Sequence, residues 1–195
     1  PLIEAGVIDM VCFTGSTQSA KVIQRWLLDY CAPFVPLLAE TGGQNVMIAD
    51  STVLIDQLVP DIISSAFDSA GQRCSALRVL YIQKDIKEEL YKALKGRLAL
   101  INVDSPFIRE TDIGPVIDHA TREKLDLHVS WLEKNAILVA KVPDSQVHSD
   151  SLYMAPCVYE IENIAQLKEE HFGPILHIIP FEHDKIDEVL QAVND

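Results

Sequence analysis

A chain of 195 residues, 48% apolar and 23% charged, is long enough for one domain or for one domain plus part of another, and too apolar to stay disordered. Its net charge of −13 argues against nucleic acid and anionic membrane surfaces, both of which attract basic patches. No apolar run approaches the ~20 residues of a bilayer span. The four cysteines, Cys12, Cys31, Cys74 and Cys157, include no close pair, so neither a zinc clip nor a redox pair is expected and no metal site is assigned. No signal peptide precedes the first expected strand, which makes a reducing cytoplasm with free thiols the expected compartment. The chain opens at Pro1 and closes at Asp195 inside an expected helix, as a piece of a longer polypeptide would.

Residues 7–13 are apolar and β-prone, as in a strand buried on both faces. Thr14-Gly15-Ser16 follows, and then residues 17–30 place Ala20, Ile23, Leu27 and Leu28 at helical spacing behind a Ser16 or Thr17 cap. A strand, a Gly-Ser turn and a helix start together form an anion site, because free backbone N–H groups and the helix dipole face the turn. Without a Gly-x-Gly-x-x-Gly run or a phosphate-loop lysine, an ordinary capped helix is the alternative. Residues 33–39 give a second strand ending at Glu40, and Gly42-Gly43 allows a sharp bend. Ligands of open parallel sheets lie at the carboxyl ends of strands, where Gly15, Ser16 and Glu40 all fall.

A third strand over 45–49 leads into a helix capped by Asp50 or Ser51 and running to about Ser69. Gly71-Gln72-Arg73-Cys74-Ser75 comes next. A thiol at such a turn is exposed, and a basic neighbour and a helix terminus favour its thiolate. With Glu40 it makes a candidate nucleophile and a candidate base; the alternative is a small buried cysteine and a surface glutamate. Residues 77–83 form a strand, Asp85 caps a helix to about Leu100, and 112–117 form a turn and a short extended piece. A helix over 121–135, a strand over 137–140, a polar loop over 144–150, an extended stretch over 153–159 and a helical turn over 164–169 follow. Phe172-Gly173-Pro174 breaks the chain before a strand over 175–181, and a last helix begins at 186. The alternation is that of an α/β fold. Cys12, Cys31 and Cys157 read as packing residues, His177 as a hydrogen-bonded core residue, and Lys168-Glu169-Glu170 as a solvated face.

Four short runs then occur in order: Phe13-Thr14-Gly15-Ser16, Glu40-Thr41-Gly42-Gly43, Gly71-Gln72-Arg73-Cys74 and Glu170-His171-Phe172-Gly173-Pro174. As a set they resemble the motifs of the NAD(P)-dependent aldehyde dehydrogenases. The longer runs over 67–80 and 111–118 resemble the dehydrogenase part of the bifunctional proline utilization A family. The resemblance implies an α/β fold with the C-terminal edge of a Rossmann-type NAD-binding domain over 1–43 and an α/β catalytic domain carrying the thiol over 44–195. It makes Cys74 the nucleophile, Glu40 the general base, and the Cys74 backbone N–H an oxyanion donor. It puts Gly15 and Ser16 at the NAD pyrophosphate, Glu170 on the nicotinamide ribose with Phe172 beside it, and Ser75 and Arg73 at the substrate.

The implied reaction is the NAD-dependent oxidation of L-glutamate γ-semialdehyde, the open form of Δ1-pyrroline-5-carboxylate, to glutamate in proline catabolism. Any FAD belongs to a proline dehydrogenase domain outside this chain. The implied partners are a small aldehyde and further copies of the parent protein. Family members are well over twice this length. The asparagine of their oxyanion hole and the lysine that holds the adenosine ribose lie upstream of Pro1, and their substrate-carboxylate loop lies beyond Asp195; Asn45 is no substitute for the asparagine. The isolated chain is therefore expected to be inactive. The rivals are an aldehyde dehydrogenase of other specificity, a non-catalytic domain that holds fold and oligomer contacts, and a cysteine hydrolase whose histidine partner the sequence does not single out.

Overall fold

Continuous apolar runs become strands and 3.6-periodic runs become helices in the computed structural model, which describes residues 7–31 and 34–194. The chain divides into two compact units after Gly43. In the first, β1 (Val11–Thr14) and β2 (Leu37–Glu40) pair in parallel, with α1 (Thr17–Tyr30) between them in sequence. Thr14 stands opposite Glu40, and the Gly15 N–H donates to the Glu40 carbonyl at 3.1 Å. Ser16 is the cap of α1, its side chain accepting from the Ser19 N–H at 3.1 Å. The expectation of a strand buried on both faces fails here. β1 is four residues long, its exposure alternates, and Cys12 lies on the exposed face and packs against no core. The expected start of the second strand at Pro33 lies outside the described residues.

The second unit is built on β3 (Val46–Ala49), β4 (Val79–Gln83), β5 (Ile137–Lys141), β6 (Cys157–Glu160) and β7 (Ile175–Phe181), in the sheet order β3-β4-β7-β6-β5. All neighbours are parallel except β5, which runs antiparallel to β6 at the edge. α2 (Ile55–Phe67) and α3 (Lys87–Leu98) cover the face that carries Leu80, Ile82, Leu176 and Ile178. α4 (His119–Asn135) covers the other face, with Leu125 and Leu132 over Val79, Ile175 and Ile179; α5 (Ile186–Asn194) follows β7. Covered on both sides, β4 and β7 have no solvated face and so read as largely apolar runs, broken only by Gln83 at the end of β4 and His177 within β7.

Two helix starts differ from expectation for the same reason. Asp50 does not cap α2: its Oδ1 accepts from the Thr52 N–H at 2.9 Å and hydroxyl at 2.6 Å, closing a local turn, and the helix begins at Ile55. Asp85 accepts from the Gln83 amide at 2.6 Å, and α3 begins at Lys87 after a single tight turn over Lys84–Ile86. Asp118, which has no such rival, does cap α4 through the Thr121 N–H at 2.7 Å. Among the described residues no helix is long and apolar enough to cross a membrane.

α2 ends in a left-handed turn of three residues, Ser69 (φ 58°), Ala70 (φ 54°) and Gly71 (φ 66°). A Cβ on Gly71 would stand 2.3 Å from the Gly173 carbonyl oxygen and 2.9 Å from that of Ala66, so two backbones meet there with no room for a side chain. Gly71→Ala is expected to destabilise the fold by about 2–4 kcal/mol, from the wrong φ and a backbone clash together. Gly96→Ala, in the exposed last turn of α3 with open space around the position, should instead stabilise it by up to about 0.5–1 kcal/mol. Urea denaturation midpoints check both signs.

Candidate active site

The left-handed turn delivers the chain into a loop over 72–78 that is fastened at every point except the thiol. Gln72 reaches across to residues 115–117, its amide donating to the Pro115 carbonyl at 3.2 Å and its carbonyl accepting from the Ile117 N–H at 2.7 Å. The Ala76 N–H closes a turn on the Arg73 carbonyl at 3.1 Å, which leaves Cys74 and Ser75 at its two outer positions, both exposed. Asn45 holds the turn from beneath, its Nδ2 donating to the Cys74 carbonyl at 2.7 Å and the Ala76 carbonyl at 2.9 Å. Among the described residues the Cys74 N–H has no hydrogen-bond acceptor. An exposed sulfur, a free amide and a rigid turn are the parts an attacking thiol needs.

Arg73 does something other than the sequence reading expects. Its Nη2 donates to the Ser64 carbonyl at 2.6 Å and the Ser65 carbonyl at 3.2 Å, near the end of α2, where the Asp68 and Leu77 N–H groups also donate to them. The helix end that precedes Cys74 is thus a carboxyl end, and Arg73 is turned to that end.

Glu170 is not a solvated face residue. It lies beside the buried guanidinium of Arg78, which is 1% exposed, at 3.2 Å. Arg78 also donates from Nη1 to the Gly173 carbonyl at 3.2 Å and from Nη2 to the Arg73 carbonyl at 3.3 Å, with the Phe172 ring centroid 5.1 Å away. Burial pushes the Arg78 guanidinium down from its ordinary pKa, and the Glu170 carboxylate opposes that shift. Within the second unit one side chain, Arg78, therefore links Glu170 and Phe172 to the Arg73 carbonyl, from which the turn bearing Cys74 and Ser75 starts. Gly15, Ser16 and Glu40 are gathered in the first, at the carboxyl ends of β1 and β2, where the first turn of α1 offers free N–H groups. A cleft of about 530 Å³ lined by Arg122, Glu133, Lys141 and Tyr153 opens elsewhere on the second unit and contains none of these residues.

Three histidines lie behind the loop. His177 in β7 directs Nδ1 at the Arg78 carbonyl (3.0 Å) and Nε2 at His128 Nε2 (2.8 Å), while His171 stacks on His128 with centroids 3.4 Å apart. A carbonyl can only accept, so His177 carries its proton on Nδ1 and accepts from His128 through Nε2, and both rings are neutral. Burial depresses all three: His128 to about 3, with the charges of His171 and His177 adding to the effect, His177 to about 4, and His171 downward. His177 is thus the hydrogen-bonded core residue the sequence indicates. The partners His128 and His171 carry no local signal, since 49 residues separate the bonded pair.

The aldehyde dehydrogenase family model matches residues 1–195. The chain belongs to that family. It is 41% identical over 192 residues to Bifunctional protein PutA of Salmonella typhimurium, an alignment covering 94% of this chain and 14% of that protein. It is 31% identical over 195 residues to the mitochondrial Delta-1-pyrroline-5-carboxylate dehydrogenase of Mus musculus, covering 93% of this chain and 34% of that one. Its structure matches a crystal structure of a Bradyrhizobium japonicum proline utilization A mutant with TM-score 0.93 and 39% identity, over 99% of this chain and 20% of the other. It also matches betaine aldehyde dehydrogenase from Staphylococcus aureus in complex with NAD+, with TM-score 0.87 and 25% identity, over 100% and 39% of the two chains. The fold is the aldehyde dehydrogenase α/β fold with a mixed sheet, and the chain spans about one seventh of the length of that first relative.

The buried histidines of this aldehyde dehydrogenase chain contribute to its acid sensitivity. A folded-state pKa below the unfolded value of about 6.5 means that the unfolded chain takes up protons first, so the stability that His177 contributes is full above about pH 6.5 and is lost as pH falls toward about 4. His177→Gln should remove on the order of 2–3 kcal/mol of the stability lost between pH 7 and pH 4, seen as a shallower fall in the urea midpoint across that range.

Proposed function

We propose that the intact polypeptide carrying this chain oxidises L-glutamate γ-semialdehyde to glutamate in proline catabolism, using NAD. The observation that carries the reading is the Cys74 turn, with its exposed sulfur, its unoccupied amide and its backbone pinned by Asn45. The substrate is supported by the relatives named for proline utilization and for Δ1-pyrroline-5-carboxylate. The use of NAD is supported by the NAD+ complex of a structural neighbour.

The Cys74 thiolate adds to the aldehyde carbon to give a thiohemiacetal, whose oxyanion accepts from the Cys74 N–H. NAD, when bound, takes up the hydride lost from that carbon, which leaves a thioester on Cys74. Glu40 deprotonates the water that hydrolyses the thioester, releasing the acid and restoring the thiol. Gly15 and Ser16, at the start of α1, receive the pyrophosphate; an exposed helix amino end on a parallel strand suits that anion. Glu170 accepts from the nicotinamide ribose, with Phe172 beside it. Ser75 borders the substrate, and Arg73 serves it indirectly, by holding the turn on the end of α2. Because the chain spans a small part of its relatives, the activity is proposed for the intact polypeptide and the isolated chain is proposed to be inactive.

In the intact polypeptide, Cys74→Ala is expected to abolish semialdehyde oxidation. Glu40→Gln should allow one turnover's burst of reduced cofactor and slow the steady state by about 10²–10⁴-fold, the usual worth of a general base. Iodoacetamide should alkylate Cys74 ahead of Cys12, which is also exposed. Full activity in the Cys74 variant, or labelling of all thiols at one rate, would overturn the assignment in favour of a non-catalytic domain. Turnover of other aldehydes in preference to the semialdehyde would overturn the substrate alone.

A further inference from the structure

Arg78 stands four residues beyond Cys74, just before β4, in a run that otherwise reads as an apolar strand. Its main chain is fixed on both sides: the N–H donates to the Asn45 carbonyl at 3.0 Å, and the carbonyl accepts from both the N–H and Nδ1 of His177 at 3.0 Å. Its guanidinium addresses three acceptors in two segments that lie far apart in the chain, around Arg73 and over residues 170–173. Nη2 meets the Arg73 carbonyl, one residue before the thiol; Nη1 meets the Gly173 carbonyl; Nε and Nη2 meet Glu170 Oε1 at 3.4 and 3.2 Å. Both Glu170 contacts fall on the same oxygen, leaving Oε2 to accept from elsewhere.

Stability does not account for this arrangement, since a buried ion pair seldom holds a fold better than apolar residues of similar volume. Geometry does. The planar fork of arginine presents five donors in fixed directions, whereas an ammonium is a point charge that could meet one or two of these acceptors. We propose that Arg78 is a positioning residue that fixes the Glu170 carboxylate relative to the Cys74 turn, and so sets where the nicotinamide ribose is held with respect to the thiol. The proposal rests on the reading of Cys74 and Glu170 given above and adds the residue that couples them. Arg78 acts through Glu170 and the Arg73 carbonyl and touches neither substrate nor reacting atoms.

The test uses the intact polypeptide with Arg78→Lys, Arg78→Gln, Glu170→Gln and the Arg78→Lys/Glu170→Gln double variant. The readouts are NAD affinity by fluorescence titration, KM for NAD and for the aldehyde, kcat, and the rate of Cys74 alkylation. Both Arg78 variants should weaken NAD binding and raise its KM by about tenfold or more, the worth of a charge-assisted hydrogen bond, with lysine the milder of the two. The KM for the aldehyde and the alkylation rate should stay within about twofold, and the double variant should bind NAD no worse than Glu170→Gln alone. A folded Arg78→Lys variant with unchanged NAD constants, losses that multiply in the double variant, or failure of both single variants to fold would each overturn the proposal and leave Arg78 a structural residue. A wild-type protein that binds NAD but oxidises no aldehyde would overturn the reaction while leaving the Arg78 coupling readable in NAD affinity. A wild-type protein that binds no NAD would overturn both.

Discussion

Gly71 and Gly173 face each other across a gap that admits backbone alone, and the organisation of the second unit around the thiol depends on that approach. A Cβ on Gly71 would strike the Gly173 carbonyl at 2.3 Å, and one on Gly173 would strike the Leu125 side chain at 2.4 Å. The contact joins the end of α2, the segment before β7 and the underside of α4 at one place. With the segments this close, the carbonyls of Arg73 and Gly173 come within reach of a single guanidinium, and the residues flanking Gly173 reach Arg78 as well. The missing side chain at Gly71 permits this approach, and the hydrogen bonds of Arg78 hold the two motif segments together.

The approach has a conformational cost, because Ser69 and Ala70 take the left-handed conformation at about 1–2 kcal/mol each. Burial offsets it. Ala66, Phe67 and Ala70 are almost wholly removed from water, and a buried Phe contributes about 1.5–3 kcal/mol. The Gln72 N–H also returns to the Ser69 carbonyl at 3.0 Å, so the strained turn leaves that acceptor satisfied. Backbone outliers gather where a side chain must be presented in a set direction, and this one ends three residues before an exposed sulfur. Arg73, adjacent to that sulfur, adds a donor to the Ser64 and Ser65 carbonyls, which also accept from the Asp68 and Leu77 N–H groups, and so ties the loop to the end of α2.

Much of this was legible from residue order, and the parts that were not share a cause. α1, β7 and α4 fall within about two residues of expectation because their periodicities are unambiguous and nothing competes for Ser16 or Asp118. The starts of α2 and α3 moved because Asp50 and Asp85 found nearer donors in Thr52 and Gln83, a local competition that pattern alone does not weigh. The left-handed turn left no mark, since two of its three residues are serine and alanine. The motif segments were visible, but their wiring was not. Glu170 read as a solvated carboxylate because its partner lies 92 residues away, and Arg78 read as part of an apolar strand. The division of labour between Arg73 and Arg78 was likewise hidden, because adjacency in sequence suggested that Arg73 served the thiol directly.

The histidines behind Arg78 follow from the same electrostatics. A buried guanidinium with one partly buried carboxylate beside it is balanced, and another positive charge against its backbone would upset that balance. The Arg78 carbonyl nevertheless needs donors, and the centre of β7 must supply them from a side chain as well as from the ladder. A neutral imidazole meets this requirement. It gives a proton to the carbonyl through Nδ1, accepts through Nε2, and adds no charge, provided its own acceptor site is filled by a second neutral ring. His128 fills it, and the stacked His171 carries that neutral pair back to the segment that holds Glu170. The polar interior behind the turn thus keeps to one cation and one anion, with the remaining hydrogen bonds supplied by groups that stay uncharged at neutral pH.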